Sequence, residues 1–233
     1  MIKVVVFDFD DTITDNSYLD YASFKIICKR FNIKNKLSLK DLVCLRKKSY
    51  TAMNIVKIIK NSTYKNFSLN NFLNARTNFL LSYESNNYLK VKKYTKNLLK
   101  YLHSKKISII ICTVRHDKNI IKKFLKNNDI EMYFKNIICL SDLKLDIPNN
   151  NSNNRVLIKS SLLKKIISKN KIKYSEMLYV GNSFEDQLAS SIHKINFIKF
   201  DNDYLPLENK KYNYSTNSMR NLHKILGNII KND

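Results

Sequence analysis

Residues 1–15 read MIKVVVFDFDDTITD. Val4, Val5, Val6 and Phe7 form an apolar run, and Asp8, Asp10, Asp11 and Asp15 follow it at once. A short run that is apolar throughout reads as a strand covered on both faces. Such strands usually end in small or neutral polar turn residues, so a cluster of like charges here needs a chemical reason. Crowded carboxylates repel and raise one another's pKa unless a cation lies between them. Asp8 and Asp10 are two apart and share a face if the strand runs straight. At a strand end, one can attack while the other handles a proton.

Four further runs resemble the first, at 107–112, 136–140, 177–180 and 197–200, making five expected strands with 3–7. Helical patterns lie between them: KNIIKKFLKNN after the second, VLIKSSLLKKIISKN before the fourth and SFEDQLASSIHK after it. Strands alternating with helices predict an α/β fold with a doubly wound parallel sheet. The stretch 16–87 breaks the alternation. Its segments YLDYASFKIICKRF, LKDLVCLRKKSYTAMNIVKIIK and LNNFLNARTNFLLSYES carry apolar residues at helical spacing, with no convincing strand. It reads as an inserted all-helical cap domain, leaving 1–15 and 88–233 as the α/β core domain. A helix near 94–104 leads into the second strand. DIPNNNSNNR reads as a polar loop, and MRNLHKILGNII as a terminal helix.

At 233 residues and 44% hydrophobic content the chain can bury a sizeable core. No apolar run approaches the roughly 18 residues of a membrane span, and the start lacks the pattern of a secretory leader. Cys28, Cys44, Cys112 and Cys139 are scattered, which suggests buried thiols in a reducing, cytoplasmic setting rather than a disulfide framework or zinc site. The net charge of +23 admits a nucleic-acid partner. The lysines are spread along the whole chain, however, and the Lys, Asn and Ile richness reads as compositional bias. A general attraction for anionic substrates follows either way.

In open α/β sheets ligands bind beyond the carboxyl ends of the strands. There the first strand ends in Asp8-Phe9-Asp10-Asp11-Thr12, the second in Cys112-Thr113 and the fourth in Gly181-Asn182-Ser183-Phe184-Glu185-Asp186. Mg²⁺ prefers hard oxygen ligands and keeps coordination sites for a substrate phosphate, so the acids read as a device for holding a metal and attacking phosphorus. Asp8–Thr12 matches the DxDxT signature of the haloacid dehalogenase superfamily. Thr113 matches its second motif, Lys159 sits where the third-motif lysine would, and LYVGNSFED resembles the fourth motif, GDxxxD. The chain resembles the phosphoglycolate phosphatase-like branch of that superfamily over nearly its whole length.

The resemblance implies a fold, a cofactor and roles. Asp8 would be the nucleophile that forms an aspartyl-phosphate, and Asp10 the group that protonates the leaving oxygen and then activates water. Thr113 and Lys159 would hold the phosphoryl group. Mg²⁺ would be bound by the Asp8 carboxylate, the Asp10 carbonyl and Asp186. The substrate would be a small phosphorylated metabolite, its identity set by the cap. Asn182 departs from the family's aspartate: an amide oxygen can still ligate Mg²⁺ but brings no charge, and Glu185 either compensates or is a solvated helix residue. Two other readings stay open: a binding protein that keeps the fold without turnover, and an enzyme for nucleic-acid phosphate ends. Asp11 reads as solvated, Asp15 as a cap or hinge residue for the first cap helix, and Arg115 and His116 as loop residues within possible reach of substrate.

Overall fold

The structure is a computed structural model and describes residues 1–63, 66–143, 152–202 and 212–232. β1 (Val4–Phe7) is buried along its whole length. The chain then makes a wide turn over Phe9–Ile13, in which Asp11 takes a left-handed φ of 58° and the Thr14 N–H donates to the Phe9 carbonyl. Aspartate tolerates that conformation better than most residues. β2 (Thr14–Asp15) follows. Helices α1 (Ser17–Arg30), α2 (Leu39–Lys47), α3 (Ala52–Asn61) and α4 (Leu69–Leu81) come next, before β3 (Lys90–Val91), which pairs with β2 in a two-stranded ribbon. The remainder alternates: α5 (Thr95–Ser104), β4 (Ser108–Cys112), α6 (Lys118–Asn127), β5 (Phe134–Ile138), α7 (Ser152–Asn170), β6 (Met177–Gly181), α8 (Phe184–Ile192), β7 (Asn196–Phe200), β8 (Ser215–Thr216) and α9 (Met219–Asn232).

Six strands form one parallel sheet in the order β5-β4-β1-β6-β7-β8. β1 lies between β4 and β6, with Phe7 level with Ile111 on one side and Val180 on the other. Val4 and Val6 face a core completed by Ile110, Tyr179, Ala189 of α8 and Ile158, Leu162, Leu163 and Ile166 of α7. Val5 and Phe7 alternate to the opposite face and are equally buried. α5 packs on β4 and α9 on α5. Helices thus cover both faces, as the sequence predicts for a doubly wound sheet.

Four local expectations are corrected. The strand expected at 136–140 runs Phe134–Ile138, because Asp142 accepts the Cys139 N–H at 2.9 Å and turns the chain into a short 3₁₀ segment. The single helix read through 39–60 is two, because Thr51 caps α3 by accepting the Asn54 N–H at 3.2 Å. Residues 152–155 of the expected polar loop open α7, and 146–151 lie outside the described residues. All four cysteines are free, with Cys44 exposed rather than buried. Among the described residues no helix is long and apolar enough to cross a membrane.

The chain divides into two compact units, one holding Met1–Thr14, Val91–Asp201 and α9, the other Asp15–Lys90. Within the second, Asp20 is buried between two arginines. Arg46 forks onto it at 2.8 and 3.0 Å, while Arg76 pairs with it, donates to Ser23 Oγ at 2.8 Å and lies over the Phe24 ring. This network ties α1, α2 and α4 together. Asp15 accepts the Ser17 N–H at 2.9 Å and its hydroxyl at 2.6 Å, which satisfies the start of α1.

Candidate active site

Parallel pairing sets the site. Because β1 is flanked by β4 and β6, their carboxyl ends meet, and the Asp8 N–H continues the ladder by donating to the Val180 carbonyl at 2.9 Å. Asp8, Lys159 and Asp186 lie together and are 4%, 2% and 0% exposed. Lys159 Nζ, from α7, donates to Asp8 Oδ1 at 2.8 Å and also to Asp186 Oδ1. Asp8 Oδ2 accepts the Thr12 hydroxyl at 3.3 Å. The cation that sits between these acids is therefore a lysine.

Asp186 is held on every side. Its Oδ1 also accepts the Tyr179 hydroxyl at 2.5 Å, and its Oδ2 accepts the Ser183 N–H at 3.0 Å and hydroxyl at 2.7 Å. The Asp186 N–H returns a bond to Ser183 Oγ at 3.2 Å, closing a capping box at the start of α8. One lysine shared between two acids separates their protonation behaviour. Burial pushes Asp8 up to about 7; Lys159 pulls it down and Asp186 pushes it up again. Burial acts on Asp186 in the same sense, but Lys159, Tyr179 and Ser183 outweigh it and hold this carboxyl below its ordinary value. For Lys159 burial works against the charge, and the two carboxylates overcome it. With all three ionised the cluster keeps one net negative charge.

Asp10 stands apart, with its carboxylate forked by Arg115 at 2.7–3.1 Å. Thr113 is buried at the end of β4; its N–H donates to the Ile138 carbonyl at 3.1 Å, and its hydroxyl accepts the Arg115 N–H at 3.2 Å. Asn182 follows β6, half-buried, and its carbonyl accepts Lys199 Nζ at 2.6 Å. Of the residues expected at the site, the structure brings Asp8, Lys159 and Asp186 into direct contact, with Thr113 and Asp10 linked through Arg115. Neither Asn182 nor Glu185 is joined to that cluster by a described bond. Sequence reasoning left Arg115 undecided and missed Tyr179, Ser183 and Lys199. Ser183-x-x-Asp186 is a legible capping box; Tyr179 reads as core, and Lys199 is one lysine among many.

Gly181 explains one of the two glycines of the chain. Its φ is not positive, so conformational freedom is not the reason. A Cβ at this position would come within 2.6–2.7 Å of the Asp186 side chain, and Asp186 is too firmly bonded to yield. Gly181→Ala should therefore displace the carboxylate and lower turnover at least about tenfold, by analogy with the cost of small misplacements in catalytic sites. Steady-state kinetics check this; unchanged turnover would mean that Asp186 can move without consequence.

The profile of the haloacid dehalogenase-like hydrolases matches residues 5–200, most of the chain and every residue of the site. The chain belongs to that family. Solved structures with the same fold include a haloacid dehalogenase-superfamily hydrolase of subfamily IA from Geobacter sulfurreducens, at 17% identity and a TM-score of 0.69, covering 97% of each chain. A protein described as a predicted phosphatase from Clostridium acetobutylicum gives 19% identity and 0.67, covering 98% of this hydrolase and 99% of that chain. One described as a predicted phosphoglycolate phosphatase from Haemophilus somnus gives 15% and 0.66, covering 97% and 98%. A comparison of this hydrolase with curated proteins found no match.

Proposed function

We propose that this hydrolase is a Mg²⁺-dependent phosphatase that cleaves a small phosphomonoester through an aspartyl-phosphate. The observation that carries the reading is the division of labour between two acids: Asp8 is buried against Lys159 and Thr12, while Asp10 is held separately by Arg115. An Asp8 oxygen attacks phosphorus, the ester P–O bond breaks, and its electron pair leaves on the substrate oxygen. Asp10, protonated, gives that oxygen its proton. Asp10 then takes a proton from water as the water oxygen attacks the phosphorus of the acyl phosphate; the bond to Asp8 breaks and inorganic phosphate leaves. Lys159, from within α7, and Thr113, at the end of β4, hold the transferring group.

The donor chemistry fits Mg²⁺. No cluster of three or more His, Cys, Asp or Glu able to hold an ion is present among the described residues, but Mg²⁺ is commonly held by one or two carboxylates, with substrate phosphate and water completing its shell. Asp8 Oδ2, the Asp10 carbonyl and the Asn182 amide would hold it. Asp186, expected from the sequence as a direct ligand, has both oxygens engaged by Lys159, Tyr179 and Ser183 and in this reading would support the site from behind. The ion would neutralise the phosphate and the charge developing on it. Four free cysteines support a reducing, cytoplasmic setting.

The test is a screen of phosphorylated metabolites with Mg²⁺ and with a chelator, using Asp8→Asn as control. Chelator-sensitive hydrolysis lost in the control supports the reading; hydrolysis of none of them favours a binding protein weakened at Asn182. Hydrolysis confined to the phosphate ends of nucleic acid would point instead to the charge of +23. A carboxylate binds a hard cation better than an amide does, so Asn182→Asp should lower the Mg²⁺ concentration for half-maximal activity by about threefold to tenfold. A Mg²⁺ titration of both proteins on one substrate reads this, and identical half-saturation would remove Asn182 from the metal's surroundings.

A further inference from the structure

Asp10 lies in an irregular turn with its side chain 32% exposed, and Arg115 grips its carboxylate. Its Nε donates to Oδ1 at 3.1 Å and Oδ2 at 2.9 Å, and Nη2 donates to Oδ1 at 2.7 Å. The planar fork fixes orientation as well as distance, which a lysine could not do. Arg115 is itself immobilised from three directions. Its guanidinium lies over the Phe9 ring with 5.2 Å to the centroid, and Phe9 is fully buried against Phe124. The Arg115 N–H donates to Thr113 Oγ1, and its carbonyl accepts the Leu140 N–H at 3.0 Å.

We propose that Arg115 is the positioning residue of Asp10, holding its carboxyl where the leaving oxygen of the substrate meets it. This assignment rests on the phosphatase reading above. Its consequence depends on the leaving group. When the ester P–O bond breaks toward an alkoxide, the oxygen needs the Asp10 proton. When it breaks toward p-nitrophenolate, the anion is stable and needs none. A loosened Asp10 therefore slows alkyl phosphates and spares p-nitrophenyl phosphate, and kcat/KM isolates this first half of the reaction.

The experiment compares wild type, Arg115→Lys, Arg115→Met and Asp10→Asn on both substrates. Arg115→Lys keeps the charge and loses the fork. It should lower kcat/KM for the alkyl phosphate by roughly 10–100-fold and for p-nitrophenyl phosphate by less than about threefold, part of what a general acid contributes. Arg115→Met should reproduce the split, and Arg115→Lys added to Asp10→Asn should cost little more on the alkyl phosphate than Asp10→Asn alone. Equal losses on the two substrates, or full additivity with Asp10→Asn, would overturn the assignment and leave the phosphatase reading standing. Hydrolysis by Asp8→Asn at the wild-type rate would overturn both.

Discussion

Asp8→Asn will abolish turnover and, at pH 8 without added metal, make the protein more stable. The first effect is chemical. An amide cannot form the acyl phosphate, and loss of a nucleophile costs on the order of 10⁴-fold or more. The second follows from burial. Asp8 is pushed up to about 7, so between about pH 4 and 7 the folded protein keeps a proton that the unfolded chain has released. Its contribution to stability therefore falls as pH rises through that window. Asparagine has no proton to lose, so the two proteins should be close at pH 5 and diverge by pH 8. The gain should be on the order of 1–3 kcal/mol, a few degrees in Tm for a chain of this size. Added Mg²⁺ should narrow the gap by stabilising the carboxylate. Denaturant and thermal melts at both pH values measure it. A variant less stable than wild type at pH 8 would mean that the ion pair with Lys159 outweighs the cost of burying Asp8.

Lys159→Met should produce the opposite result. It removes the cation between Asp8 and Asp186 and leaves two buried carboxylates facing each other. Breaking a buried pair in this way typically costs about 3–5 kcal/mol, and loss of a charge-stabilising group at the reacting centre lowers turnover about a hundredfold or more. The instability should be greatest at pH 8 and relieved toward pH 5.5, where Asp8 takes up a proton and one of the two charges disappears. Combining it with Asp8→Asn should recover part of the loss, and a double-mutant cycle reads that coupling. A loss below about 1 kcal/mol at pH 8 would refute the shared-lysine arrangement, because it would mean that water screens the site.

Much of the site is legible in the sequence because its parts follow elements with strong patterns. Val4–Phe7 is apolar on both faces, which marks a buried parallel strand, and the acids after it can only be at its end. Asp8, Lys159 and Asp186, separated by as many as 178 residues, are recoverable only because β1, α7 and α8 are individually readable. What escapes is whatever depends on side-chain direction. Arg115 carries no pattern that tells a fork on Asp10 from a solvated loop residue, and the Asp20–Arg46–Arg76 network joins three helices whose packing no local period specifies. The break between α2 and α3 was available in Thr51-x-x-Asn54, but the apolar period across it is strong enough to mask the cap.

The central place of β1 has a consequence for synthesis. β1 leaves the ribosome long before either of its neighbours, Ser108–Cys112 and Met177–Gly181. At a translation rate of about 5–20 residues per second, the valines of β1 wait on the order of 10–30 s for their second partner. Throughout that time the nascent chain carries an open, apolar strand edge of the kind that recruits chaperones or other chains. Release before β6 would leave this edge open, so truncated products of this hydrolase should be found in aggregates rather than as partly active enzyme.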